Sequence, residues 1–383
     1  MNRRRVWLWA LAGLALFMAA SAQQQGVVDV LCVVNNDWCV AIEEPFEQAT
    51  GIDYEFIRLS SNEALNRLRS EKAAPTFDAV FGGTNVPHEV AFDEGLYEPL
   101  SLDEFPVLSE LQPSLLDFAR GPFTPDERLV RFGPIYTGIL GIGVNEACLA
   151  ERAPGVPVPT SWQDLTNPAL AGLIAMPNPN TSGTAGVFLF TMLADFGRPF
   201  APGTTGVSPG EIAAGQFVSE AAVFAPNGVM AGIRRNVSQF TASGFAPGAL
   251  ANAGEVCIVI QFLHDVLANN IIANNTNLTL IGPSEGVGFE IGVASLVANG
   301  PNPVAARAFV DWALQAQNQV IAYTVANSYQ IPSNANAQPD PRSPRFEDLP
   351  VIGDFGPLFN FFRANNDRLI ERFTREVFPL RPN

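Results

Sequence analysis

Apolar and polar positions alternate in blocks along the first third of the chain. The blocks predict a strand over 27–34, a helix that ends at Thr50-Gly51, a strand over 52–59, an amphipathic helix over 62–72 and a strand over 77–81. Strands that alternate with helices are typical of a parallel sheet with crossover helices. The pattern therefore predicts an α/β fold.

Polar turns follow two of these predicted strands. Asn36 and Asp37 come after the first strand, where Asp37 is predicted to cap the next helix, and Thr84 comes after the third strand. Ligands of open α/β sheets bind beyond the carboxyl ends of the strands. Asn36, Asp37 and Thr84 are therefore candidate ligand-binding residues.

The remaining pattern predicts longer irregular stretches between its elements. Residues 84–131 are rich in proline and acidic side chains and are predicted to be irregular. Further strands are predicted over 135–145, 173–176, 255–262 and 291–297, and helices over 185–193, 303–314 and 358–373. The glycines of the strand over 135–145 lack the order of a dinucleotide-binding loop, so they indicate close backbone contact instead.

A turn rich in hydroxyl groups precedes the predicted helix over 185–193. It contains Ser182, Gly183 and Thr184. A turn of this kind at a helix start offers backbone N–H groups, hydroxyl donors and the positive end of the helix dipole, and together these bind anions. The alternative is that Thr181 or Ser182 only caps the helix, and the turn fits both interpretations.

The first 22 residues have the pattern of a secretory signal peptide. Three arginines at 3–5 precede an uncharged apolar run over 6–19, and Ala20-Ser21-Ala22 is a small-x-small cleavage site, with cleavage predicted after Ala22. The alternative is a membrane anchor, but the apolar run is shorter than the roughly 20 residues that a span needs. We expect a periplasmic or secreted protein.

Composition and charge narrow the function classes. The 383 residues include 47% hydrophobic side chains, enough for a large core, and the length favours two domains. Acidic residues outnumber basic ones 38 to 22, a net charge of −16, which becomes −19 once the three arginines of the signal peptide are removed. A chain this acidic repels phosphate backbones, so nucleic acid is not an expected partner.

The chain has four cysteines, all of them after the predicted signal peptide: Cys32, Cys39, Cys148 and Cys257. An even number in an oxidising compartment suggests disulfides, and three pairings are possible. The favoured pairing joins Cys32 to Cys39 and Cys148 to Cys257, and the alternative is four buried thiols. No Cys-x-x-Cys occurs and the chain has two histidines, so no metal site is expected.

Several segments together resemble one protein family, the bacterial extracellular solute-binding proteins of the ferric-iron, phosphonate and sugar-phosphate type. The segments are FEQATGI (46–52), FGGT (81–84), GILGIGVN (138–145), PTSWQDL (159–165), SGTA (182–185), GEV (254–256), HD (264–265), EG (285–286) and ARAFVDWAL (306–314) with Gln317. They occur in the family's order over nearly the whole chain after the signal peptide.

The resemblance implies a type II periplasmic-binding-protein fold, in which two α/β lobes with parallel sheets are joined by crossover strands and close on a solute. The first lobe is expected to comprise 26–135 and 284–345, and the second 136–283 and 346–383. The implied function is that of a monomeric receptor that delivers a small solute to the membrane permease of an ABC importer. No enzyme motif such as Gly-x-Ser-x-Gly or a P-loop occurs, and neither enzymatic activity nor a cofactor is expected.

The resemblance also suggests the class of solute. Ferric-binding members are expected to use adjacent tyrosines, but none of the five tyrosines here is adjacent to another. Sugar-phosphate members carry a His-Asp pair that binds sugar hydroxyls, and His264-Asp265 matches it. A phosphorylated organic solute is therefore the favoured ligand. Iron remains the alternative, and the carboxylates Asp37, Asp265 and Glu290 also leave room for a polyamine.

The ligand-binding residues can then be assigned to two ends of a cleft. Ser182, Gly183 and Thr184 are expected to hold the phosphate. Thr84 and Asn36 are expected to face it, with Thr137 and Ser243 as secondary candidates, and Asp37 is a further candidate ligand-binding residue. His264, Asp265 and Glu290 are expected to hold the polyol end. The alternative for His264-Asp265 is a strand-end turn in which Asp265 caps the next helix.

Overall fold

The computed structural model describes residues 26–121, 126–197, 220–352 and 357–380. The predicted signal peptide and its cleavage site after Ala22 lie outside these residues. Within the described ranges, no helix combines the length and the apolarity that crossing a bilayer requires.

Strands and helices alternate along the described chain. The strands are β1 Val27–Cys32, β2 Asp53–Arg58, β3 Ala79–Gly82, β4 Tyr97–Glu98, β5 Leu100–Ser101, β6 Leu129–Val130, β7 Gly133–Asn145, β8 Ile174–Pro177, β9 Val237–Thr241, β10 Ile258–Phe262, β11 Leu278–Ile281, β12 Phe289–Val297 and β13 Ile331–Pro332. The helices are α1 Asn36–Ala41, α2 Glu43–Thr50, α3 Ser61–Glu71, α4 Asn85–Asp93, α5 Pro113–Arg120, α6 Glu146–Arg152, α7 Gly183–Phe196, α8 Glu220–Val223, α9 Val229–Asn236, α10 Pro247–Asn252, α11 Leu263–Ile272, α12 Pro303–Leu314, α13 Ala316–Gln319, α14 Ile321–Thr324 and α15 Pro357–Arg372.

Two groups of parallel strands form the ends of one continuous sheet. Its order is β2-β1-β3-β12-β7-β10-β8-β9. The strands β2, β1 and β3 are mutually parallel, as are β10, β8 and β9. Between the groups, β12 and β7 run antiparallel to their neighbours. The predicted α/β class with parallel groups and crossover strands is confirmed.

The strand β7 connects the two groups. All of its 13 residues are buried, as its uninterrupted apolar pattern predicts. It pairs with β12 up to Ile139 and with β10 from Leu140 onward, so its partners change at that point. Strand β7 therefore connects to one parallel group through β12 and to the other through β10.

Two expectations for the first part of the chain are wrong. The stretch 84–131 contains α4 and α5 rather than irregular chain. In α4 the polar residues His88 and Glu89 are buried beside the apolar ones, so the helix lacks the polar face that periodicity detects. The cap of α1 is Asn35 rather than Asp37, because the Asn35 side chain accepts a hydrogen bond from the Trp38 N–H at 3.0 Å.

Helix α15 contacts elements on both sides of the sheet. Arg69 of α3 forms an ion pair with Asp367 at 2.9 Å, and Arg363 forms one with Asp93 of α4 at 3.0 Å. Further along the helix, Arg368 pairs with Glu220 at 2.6 Å. The C-terminal helix thus bridges α3 and α4 with α8.

The four cysteines form two disulfides, Cys32–Cys39 and Cys148–Cys257. This is the favoured pairing of the three. The first bond ties the end of β1 to α1, and the second ties α6 to the chain that enters β10. Their sequence separations are 7 and 109 residues.

We expect the longer disulfide loop to contribute more to stability. Loop-closure entropy gives about 4.8 kcal/mol for a loop of 109 residues and about 2.4 kcal/mol for a loop of 7. Urea unfolding should therefore show a larger loss for Cys148→Ala with Cys257→Ala than for Cys32→Ala with Cys39→Ala. Equal losses in the two double variants would contradict the loop-entropy explanation.

Candidate functional site

A cavity of about 420 Å³ lies at the carboxyl ends of the parallel strands. Residues that follow β1, β2, β3 and β10 line it, together with the start of α7. This is the edge of the sheet at which ligands of α/β proteins bind. The cavity is therefore the candidate ligand site.

Seven of the predicted ligand residues line this cavity: Thr84, Ser182, Gly183, Thr184, His264, Asp265 and Glu290. They come from four separate parts of the chain. The fold therefore brings together the hydroxyl-rich turn and the His-Asp pair that the sequence analysis placed at opposite ends of one cleft.

The other four predicted residues lie away from the cavity. Asn36 and Asp37 are exposed in the first turn of α1, and the preceding Asn35 takes the lining position. Thr137 is buried inside β7, where it pairs with Ile291. Ser243 does not line the cavity, but its hydroxyl accepts a hydrogen bond at 3.2 Å from the guanidinium of Arg58, which does.

Arg58 is the lining residue that the sequence analysis missed. It ends β2, and its side chain donates to the Val34 carbonyl at 3.0 Å and to the Ser60 hydroxyl at 3.4 Å. Among the described lining residues it is the one Lys or Arg side chain. Burial lowers the pKa of its guanidinium, which stays charged at neutral pH. Its position at the carboxyl end of a predicted parallel strand was the one sequence signal for it.

Hydroxyl groups surround the Arg58 end of the cavity. Ser60, Ser61, Thr84, Ser182 and Thr184 all line it. The Thr84 Oγ1 is buried and has no hydrogen-bond partner within the described part of the chain. A buried hydroxyl is normally hydrogen-bonded, so an unpaired one that lines a cavity points to a ligand group.

The start of α7 faces the same end of the cavity. This helix has 14 residues and begins at Gly183. The Ser182 side chain makes no capping bond in the described structure, and the Thr181 hydroxyl instead donates to the Ala242 carbonyl at 2.8 Å. The capping interpretation of this turn is thus wrong. The N-terminal N–H groups and the dipole of α7 add to the attraction for an anion.

His264, Asp265 and Glu290 form a compact cluster at the other end. The His264 Nε2 lies 3.4 Å from the Asp265 Oδ1 and 3.4 Å from the Glu290 Oε1. The imidazole stacks on the Phe262 ring, with centroids 5.4 Å apart. A Cβ at Gly138 would lie 2.6 Å from the His264 Nδ1 and 2.9 Å from the Glu290 Oε1, so glycine is required there.

The three groups of this cluster differ in protonation. Burial lowers the pKa of His264 to about 3, so its imidazole is neutral. Burial raises the pKa of Asp265 to about 7, although Arg58 opposes this. Burial and the nearby Asp265 raise the pKa of Glu290 well above its ordinary value. The cluster therefore offers both hydrogen-bond donors and acceptors, as hydroxyl-bearing ligands require.

Asp265 does not have the capping role that the sequence left open for it. Helix α11 begins at Leu263, so Asp265 lies inside its first turn rather than before it. Its side chain is part of the cavity lining. An acidic group in the first turn also interacts favourably with the helix dipole.

Comparisons with known proteins agree with this fold. Residues 41–351 match the family model described as bacterial extracellular solute-binding protein. An uncharacterised protein of Haemophilus influenzae is 32% identical over 371 residues, which cover 96% of this chain and 95% of that protein.

Two solved structures are similar over almost their whole length. The periplasmic binding protein P5PA has a TM-score of 0.78 and 27% identity, covering 92% of this chain and 100% of that one. AfuA from Actinobacillus pleuropneumoniae, solved with exogenous fructose-6-phosphate bound, has a TM-score of 0.76 and 27% identity, covering 92% and 98%. The match to the family model and the extent of these similarities show that this chain belongs to the bacterial extracellular solute-binding proteins.

Proposed function

We propose that this chain captures a small phosphorylated organic solute, such as a sugar phosphate, and delivers it to the permease of an ABC importer. The observation that carries the proposal is a single cavity with two chemically different ends. One end holds a half-buried guanidinium, a helix start and several hydroxyls, and the other holds a neutral imidazole between two carboxyl groups.

The first end has the donors that a phosphate group needs. The Arg58 guanidinium supplies charge and a planar pair of N–H donors, which fit phosphate oxygens. The Thr84 hydroxyl, which has no partner in the described chain, is available as a further donor. The charge of −19 that we predict for the mature chain is spread over a large surface and screened beyond about 8 Å, so these local groups determine binding.

The second end disfavours inorganic phosphate and favours a ligand with hydroxyl groups. The Asp265 carboxylate would repel further phosphate oxygens, whereas sugar hydroxyls can form hydrogen bonds with both Asp265 and Glu290. AfuA, which is 27% identical, has been solved with a sugar phosphate bound. This likeness supports the same class of solute here.

The alternative of ferric iron lacks a suitable ligand set in the cavity. Tyr136 lines the cavity, but its hydroxyl accepts from the Gly83 N–H at 3.0 Å and donates to the Gly83 carbonyl at 3.1 Å. Burial also raises the pKa of Tyr136 well above its ordinary value, which disfavours the phenolate that iron prefers. A polyamine is disfavoured because Arg58 would repel it.

The proposal includes export and lobe closure. Residues 1–22 are cleaved after Ala22, and the exported monomer divides into a lobe of 26–135 with 284–345 and a lobe of 136–283 with 346–383. The change of partners within β7 at Ile139 and Leu140 supports a pivot near this division. Closure of such lobes encloses the solute between them.

Thermal unfolding of residues 23–383 tests the proposed ligand class. Fructose 6-phosphate and glucose 6-phosphate are compared with fructose and glucose, and aminoethylphosphonate and ferric citrate are measured in parallel. A ligand at about 100 times its dissociation constant adds roughly 2.7 kcal/mol, a shift of a few degrees in Tm. We expect a shift with phosphorylated compounds only, and a shift with ferric citrate alone would contradict the proposal.

A further inference from the structure

Helix α3 makes direct contacts across the cleft next to the cavity. Asn62 lies in its first turn and is buried. The Asn62 Nδ2 donates to the Pro179 carbonyl at 2.7 Å, and the Asn62 backbone N–H donates to the Thr181 carbonyl at 3.1 Å. Pro179 and Thr181 belong to the turn between β8 and α7, so these two bonds join the two parallel groups of the sheet.

The residues just before Asn62 continue this contact. The Ser60 hydroxyl donates to the Ala242 carbonyl at 3.1 Å, and Arg58 donates to the Ser243 hydroxyl at 3.2 Å. The turn that receives Asn62 is held in place by its own bonds, such as that from the Ser182 N–H to the Asn178 carbonyl at 2.9 Å. The contact therefore joins α3 and the end of β2 to a turn that its own hydrogen bonds hold in place.

We propose that Asn62 is a positioning residue that holds the cleft closed, although it is not itself part of the cavity lining. This inference rests on the proposed function, in which two lobes close on a solute. Apparent affinity depends on the fraction of molecules in the binding-competent state. A bond that favours closure in the absence of solute therefore tightens binding without contacting the solute.

The experiment compares Asn62→Ala with wild type, using Asn66→Ala as a matched control. Asn66 lies four residues further along the same helix, and its side chain is exposed. Small-angle X-ray scattering of the solute-free proteins should show a larger radius of gyration for Asn62→Ala than for wild type and Asn66→Ala. In Asn62→Asp, a carboxylate oxygen replaces the amide donor and faces the Pro179 carbonyl. This variant should open the cleft at least as far as Asn62→Ala does.

Binding measurements separate closure from direct recognition. Loss of one amide-to-carbonyl hydrogen bond is expected to weaken the binding of fructose 6-phosphate and of glucose 6-phosphate about threefold to tenfold, by the same factor for both. Different factors for the two compounds would mean that Asn62 acts on recognition, and the proposal would fail.

The scattering measurement uses no solute, so its outcome is independent of the ligand class. If solute-free wild type and Asn62→Ala have the same radius of gyration, Asn62 does not hold the cleft closed and this inference is wrong, while the proposed function stands. If instead no phosphorylated compound shifts the Tm of wild type, the proposed function fails, and the scattering result still decides the role of Asn62.

Discussion

Replacing Arg58 by alanine is expected to weaken the binding of a phosphorylated solute at least a hundredfold. The guanidinium is the one Lys or Arg side chain among the described lining residues. Removing one partner of a buried charged contact costs about 2–5 kcal/mol, and about 2.7 kcal/mol corresponds to a hundredfold change in the dissociation constant. Isothermal titration calorimetry of wild type and Arg58→Ala measures the difference.

The variant Arg58→Lys separates charge from geometry. Lysine keeps the positive charge but lacks the planar pair of donors and loses the bonds to Val34, Ser60 and Ser243. We expect it to bind more tightly than Arg58→Ala and more weakly than wild type. Binding by Arg58→Ala with the wild-type dissociation constant would place the phosphate elsewhere.

Replacing Gly183 by alanine is expected to weaken binding about a hundredfold. A Cβ at Gly183 would lie against the Thr84 Oγ1 and 2.7 Å from the Ser61 Oγ, so the walls of the cavity must move apart. Misplacement of binding groups by about 1 Å can cost a hundredfold.

Gly186→Ala is the matched control for this prediction. Gly186 lies on the same helix, and within the described structure a Cβ there would meet nothing within 4 Å. Calorimetry should therefore show wild-type affinity for Gly186→Ala, and thermal unfolding should show no loss of Tm for this variant. Equal affinity of the two alanine variants would show that the approach of Thr84 to Gly183 is unimportant.

Local patterns in the sequence were sufficient to predict the strands and the hydroxyl-rich turn that lines the cavity. Alternating blocks predicted the parallel strands β1, β2 and β3, and the hydroxyl-rich turn predicted that Ser182 and Thr184 line a ligand site. These features depend on residues near one another in the chain. Periodicity and turn chemistry report such features directly.

Features that depend on tertiary contacts were missed. The cap of α1 lies two residues earlier than predicted, at Asn35 rather than Asp37, and Asn35 rather than Asn36 lines the cavity. In the sequence, Arg58 is not distinguished from other residues at the ends of strands. The fold shows that it lines the same cavity as Ser182 and donates to the hydroxyl of Ser243. A sequence pattern does not report which polar side chains are buried together.

The most direct test of the central claim is an elemental count on the loaded protein. Residues 23–383 are saturated with a mixture of sugar phosphates and ferric citrate, washed free of unbound compounds and analysed for phosphorus and iron by mass spectrometry. We predict about one phosphorus atom per chain, lost in Arg58→Ala, and no bound iron. One iron atom per chain without phosphorus would contradict the phosphorylated-solute site and favour the ferric-binding alternative.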